Sequence, residues 1–146
     1  MSLTLAALIA VVRLAQPGVR LGLIPVSLVL PVTAMWLLAA VVLRRAPPSG
    51  RVPLLLGHTA LVCPWLIAFI SVPLFVGLLL ALRAFAPTQL RLAGAAAGFA
   101  AGAGGALVYT LHCPELAAPF IGVWYLLGML IPTVAGAVFG PPVLRW

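Results

Sequence analysis

The sequence predicts an all-helical integral membrane bundle, a single transmembrane domain over residues 1–146 with four full spans and a partial N-terminal one. Three observations carry this. Hydrophobic residues make up 65% of the chain, charged residues only 6%, and mean hydropathy is +1.30. The apolar residues form long uncharged runs that break at arginines. Glycines recur at four-residue spacing in two of those runs. A soluble domain carries about 25% charged residues, and this composition could not cover a water-facing surface. It excludes a soluble enzyme, a disordered tail and a nucleic-acid-binding domain. The net charge of +7 comes from eight basic residues, all arginine, against one acid, Glu115. These arginines stand singly or in pairs between the runs, as residues that flank spans do.

Taken in order, residues 3–12 are apolar but reach only about 15 Å before Arg13 interrupts them. They predict a partial span near 3–16. Residues 21–43 are an uncharged run, closed by Arg44 and Arg45. The segment 44–51, with Pro47 and Pro48, is expected to be a loop. A second span is expected near 60–82, a loop at 83–91 around Pro87, a third span at 92–111, a short connection at 112–115, and a fourth span near 118–140. About 20 apolar residues are needed to cross the hydrocarbon, and the four runs meet that length. Pro25, Pro31, Pro73 and Pro132 fall inside spans, where proline kinks a helix.

Alternation of spans puts Arg13, Arg20, Arg83, Arg91 and Arg145 on one face and Arg44, Arg45 and Arg51 on the other. The arginine-rich face is expected in the cytoplasm. The C-terminus then lies in the cytoplasm, and the connections around residues 58 and 113 lie on the opposite face.

Gly94, Gly98 and Gly102 form two overlapping GxxxG motifs, and Gly136 and Gly140 form a third. In lipid, such rows let two helix backbones approach closely. The rows leave open a partner within the chain or in a second chain.

Chemistry is sparse. Proton-coupled transport needs a carboxylate or comparable relay inside the bilayer, and Glu115 lies in a connection. The sequence has no phosphate-binding loop, no Ser/His/Asp set and no carboxylate pair. Neither catalysis nor a cofactor is expected. Two cysteines remain. Cys63 and Cys113 are each followed by proline, a residue favoured at the first position of a helix. Each cysteine is therefore expected just before a helix, where the dipole favours the thiolate. Both fall on one face, the oxidising one. The bland alternative is that both are small apolar side chains. As a site, the pair reads as redox-sensing or metal-sensing. Its metal candidates are Cys63, Cys113 and His112, with His112, Glu115 and His58 as auxiliary groups.

The run Tyr109-Thr110-Leu111-His112-Cys113-Pro114-Glu115, then Pro119-Phe120, Trp124-Tyr125-Leu126-Leu127-Gly128 and the stretch from Gly136 to Trp146 resemble the NrsF family. These are bacterial membrane proteins that negatively regulate an extracytoplasmic-function sigma factor. The Cys63-Pro64 region, the Ala86-Pro87-Thr88 turn and the glycine-rich run are similar to that family in order and spacing. Pro142 departs from it, standing where the family has a basic residue. The resemblance implies six spans, two cysteines matching Cys63 and Cys113 that sense metal or oxidative stress, and a sigma factor as partner beside the lipid bilayer. It also implies that a leader and a first helix would precede the run at 3–12. The expected function is an anti-sigma factor held in the inner membrane. The alternative is a small membrane subunit or a permease for a thiophilic metal, which would need polar groups partway down its helices.

Overall fold

The computed structural model describes residues 2–15, 24–85, 87–113 and 117–145. Among them every regular element is a helix. The elements are α1 (Ser2–Ala15), α2 (Ile24–Arg45), α3 (Pro48–Leu56), α4 (Cys63–Ala84), α5 (Leu90–Thr110) and α6 (Ala118–Leu144). Three of these, α4, α5 and α6, are long and apolar enough to cross a membrane. The helix α2 has 22 residues; positions 21–23 of the expected 21–43 span lie outside the described residues. The partial span is a 14-residue helix, about 21 Å long.

Three boundaries differ from the sequence reading. The expected loop 44–51 contains the start of α3. Pro48 takes the first helical position, where a missing N–H costs nothing, and the helix ends at Gly57, whose positive φ of 50° no other residue type adopts so readily. The last helix runs on to Leu144 past Pro141 and Pro142, with the Arg145 N–H closing onto the Pro141 carbonyl at 3.2 Å. Pro25 falls in the first turn of α2 rather than its interior, while Pro31, Pro73 and Pro132 are interior.

The glycine-rich helix α5 lies at the centre. It packs most closely on α6, then on α4 and α1. The α5–α6 contact is backbone against backbone. A Cβ on Gly94 would run into the Gly136 carbonyl oxygen, one on Gly98 into the Pro132 carbonyl oxygen, and one on Gly102 would lie 2.8 Å from the Met129 Cα. From the other side, a Cβ on Gly136 would strike the Gly94 oxygen, and one on Gly140 would stand 2.8 Å from the Leu90 oxygen. The two glycine rows therefore face each other within one chain. Around the helix, Gly105 lets the Ile67 carbonyl of α4 approach, at 2.8 Å from where its Cβ would be. Without side chains in the way, the two helices come into direct van der Waals contact along these rows.

This packing leaves two buried clusters. At one end Ala7, Val11, Leu79, Leu82, Ala93, Ala97, Ala100 and Leu144 pack together. At the other, the cluster contains both cysteines, two tyrosines and Phe120.

Candidate functional site: a buried thiol and tyrosine cluster

Cys63 is the first residue of α4, with Pro64 in the first turn beside it. The turn before it is closed by the Cys63 N–H donating to the Thr59 carbonyl at 2.8 Å. Helix α4 thus starts one residue earlier than the Cys-Pro pair suggests, because Val62 already has helical dihedrals (φ −93°, ψ −35°) and serves as the cap. The thiol still stands at the positive end of a helix dipole.

Cys113 does not. Its N–H donates to the Tyr109 carbonyl at 3.0 Å, so it closes the last turn of α5. Helix α6 begins at Ala118, with Pro119 in its first turn; the helix start expected at Pro114 lies outside the described residues. The dipole at Cys113 has the opposite sign from that at Cys63.

Both thiols are buried in the same cluster. The Thr59 hydroxyl lies 4.0 Å from the Cys113 sulfur. The Tyr109 hydroxyl interacts with Cys113 and Thr59. Tyr125 packs on Tyr109, ring centroids 5.7 Å apart, and edge-on to Phe120 at 6.5 Å. Its hydroxyl is buried in the cluster that holds Cys113 and makes no hydrogen bond. The site draws on three helices and the turn before α4: Thr59 and Cys63 from the turn and the start of α4, Tyr109 and Cys113 from the end of α5, Phe120 and Tyr125 from the start of α6.

A five-residue π-helical stretch, Ile121–Tyr125, sets the last of these. Such a stretch adds a residue to a turn and rotates the helix beyond it, and it recurs at functional sites. Two indoles tie the outer helices to this stretch. The Trp36 Nε1 donates to the Gly122 carbonyl at 3.0 Å, and the Trp124 Nε1 donates to the Leu55 carbonyl at 2.7 Å. Beside it, a groove of about 280 Å³ lies between α2, α5 and α6, lined by Met35, Trp36, Ala106 and Tyr125 among others.

His58 and His112 are exposed, each next to a turn that leads into the cluster. Glu115 lies outside the described residues. Among the described residues, no three of His, Cys, Asp and Glu gather in a way that would hold a metal ion. Sequence reasoning missed Thr59, Tyr109 and Tyr125. A signal existed for two of them: Thr59 and Tyr109 each precede a cysteine by four residues, which is one helical turn on the same face. Tyr125 had none, since the π-helical turn that aims it leaves no mark in the hydrophobic pattern.

The model of the NrsF family, described as a negative regulator of sigma F, matches residues 1–146. The chain belongs to the NrsF family. NrsF proteins are regulators and not enzymes. The chain is 52% identical over 144 residues to the probable anti-sigma-F factor NrsF of Azospira oryzae, covering 99% of this chain and 68% of that protein. It is 36% identical over 158 residues to the anti-sigma-F factor NrsF of Caulobacter vibrioides, again covering 99% of this chain and 68% of the relative. No solved structure matches the chain.

Proposed function

We propose that this NrsF-family chain holds an extracytoplasmic-function sigma factor inactive at the bacterial inner membrane and releases it when Cys63 and Cys113 are oxidised. Beyond family membership, the observation that supports this is the convergence of both thiols on one buried cluster that joins α4, α5 and α6. A thiol pair in such a place is a two-state element: changing it repacks the ends of three helices at once. With hydrogen peroxide as oxidant, the two thiols give up two protons and two electrons to form one disulfide, and the peroxide becomes two waters.

In this reading α2 spans the membrane together with α4, α5 and α6, the thiol cluster faces the periplasm, and the C-terminus lies in the cytoplasm. The arginine distribution supports that orientation. A permease for a thiophilic metal is disfavoured by the packing below the thiols. There α5 and α6 meet through glycine backbone, and the buried Ser71 donates its hydroxyl to the Ala68 carbonyl of its own helix at 2.6 Å. This leaves no line of polar groups for an ion to follow among the described residues.

The test is co-isolation of a sigma factor with the chain from membranes, before and after peroxide. The expected result is a sigma factor bound beforehand and lost afterwards. In Cys63→Ser and in Cys113→Ser it should stay bound after peroxide. A sigma factor that leaves the serine variants as readily as the parent would defeat the thiol switch. Absence of any bound sigma factor would defeat the whole reading.

A further inference from the structure

The tyrosine beside Cys113 carries more than packing. Among the described residues, the Tyr125 hydroxyl is a buried side-chain polar atom without a hydrogen-bond partner, and the residue is 4% exposed. Three other hydroxyls among the described residues are settled within their own helices. Ser71, Thr110 and Thr133 each donate to a carbonyl three or four residues earlier in their own helix, at 2.6–2.7 Å. The Trp36 and Trp124 indoles donate across helices to carbonyls. A phenol is too long to bond back to its own helix, so its hydroxyl must find a partner in the space it is aimed at. A phenylalanine ring would fill the same place without leaving a polar atom unsatisfied.

That space holds thiols. Tyr125 shares its buried cluster with Cys63, Cys113 and Tyr109, whose ring centroid lies 5.7 Å from its own. The second observation is the backbone that aims it. Tyr125 ends the π-helical stretch Ile121–Tyr125, and a distortion of this kind, retained inside a membrane helix, recurs where a side chain has a task.

We propose that Tyr125 is a positioning residue of the thiol site, whose hydroxyl donates a hydrogen bond to the Cys113 sulfur as negative charge builds on it. The inference rests on the thiol-switch reading for its purpose but not for its chemistry. A neutral thiol is a weak acceptor, so in the resting state the hydroxyl gains little from it. A sulfur acting as nucleophile is a strong one, and a hydrogen bond to a charged acceptor is about twice as strong as a neutral bond. Cys113 lies at the C-terminal end of α5, where the helix dipole gives the sulfur no help. Cys63 has the start of α4 and needs no such donor. Tyr125 thereby makes Cys113 reactive in a place where the backbone does not.

The test compares the two thiols of the same chain, in full-length protein in detergent micelles. N-ethylmaleimide is the probe. Each sulfur adds to the maleimide double bond, forming a carbon–sulfur bond, while the thiol proton ends on the neighbouring carbon. Mass spectrometry of the separated peptides gives one rate per cysteine. Tyr125→Phe removes the hydroxyl and keeps the ring. It should slow Cys113 about tenfold, as expected for loss of a hydrogen bond to a charged group. Cys63 should stay within about twofold, with the melting temperature held. A purely structural Tyr125 would move both rates together or lower the melting temperature. Either result, or an unchanged Cys113 rate, overturns the proposal. The readout involves no sigma factor, so it stands or falls apart from the sigma-release experiment.

Discussion

The two ends of the bundle are held together by different physics. At the cysteine end, large side chains fill the space between helices: Ile67, Tyr109, Phe120, Tyr125 and Met129 around two thiols. Away from it, α5 and α6 touch through glycine backbones, with alanines packed behind them. Side-chain packing can rearrange by rotating a ring or a thiol, because several arrangements fill a similar volume. Backbone contact cannot, since any shift of one helix opens a gap along its whole length. The contrast suggests a division of labour in which the cysteine end changes and the glycine spine carries the change as a rigid pair.

The largest effect is expected where the spine is broken. Gly98→Leu places a side chain where the Pro132 carbonyl and, at 2.8 Å, the Thr133 Cα already stand. The helices must part, at a cost of about 3 kcal/mol or more, and a detergent melting curve should lose its transition or shift it far down. Gly104→Leu, on the same helix but off the row, meets only the flexible end of Leu74 and should cost about 1 kcal/mol. Equal damage from both would make the glycine row a matter of composition alone.

At the other end the expected loss is of response, not of fold. Cys63→Ser and Cys113→Ser should each leave the melting curve within about 1 kcal/mol of the parent while removing the reaction to peroxide. The double variant should be no worse than either single one, because both changes break one switch. A double variant with a clearly larger defect would split the cluster into two independent sites.

How much of this is legible in the sequence depends on the kind of contact. The apolar runs and the glycine rows are local patterns, and they announce α4, α5, α6 and the faces that pack. The partner of the Gly94–Gly102 row is not legible, because close approach needs two rows and the sequence does not say which meet. The Cys-Pro pairs place both thiols near helix ends, yet the sign of the dipole at Cys113 is the reverse of the one they imply. Pro119 stands in the first turn of α6, and Pro114 lies outside the described residues. The short helix α3 reads as a loop because its prolines and glycine are turn formers. Its position is set by a long-range bond, from the Trp124 indole to the Leu55 carbonyl. The π-helical turn that brings Tyr125 to the thiols is invisible for the same reason.

Smaller effects sharpen the comparison. Trp124→Phe removes the donor that ties α3 to α6 and should cost about 1 kcal/mol, with faster hydrogen exchange confined to residues 48–56. Spread of that change into α5 would mean that α3 supports the spine. The smallest effect is expected at Gly77, where an added Cβ meets nothing within 4 Å. Gly77→Ala should be neutral or stabilising by about 0.5 kcal/mol, in contrast to alanine at Gly94 or Gly136, and parallel melting curves would show the difference.

The division of labour is tested most directly by hydrogen–deuterium exchange of the chain in micelles before and after peroxide, read by mass spectrometry along its length. The account predicts altered protection in 57–67, 109–113 and 118–129, with 93–102 and 132–140 as slow to exchange as before. Cys113→Ser should show no alteration anywhere. Loss of protection beginning in the glycine spine, or an equal alteration in Cys113→Ser, would contradict it.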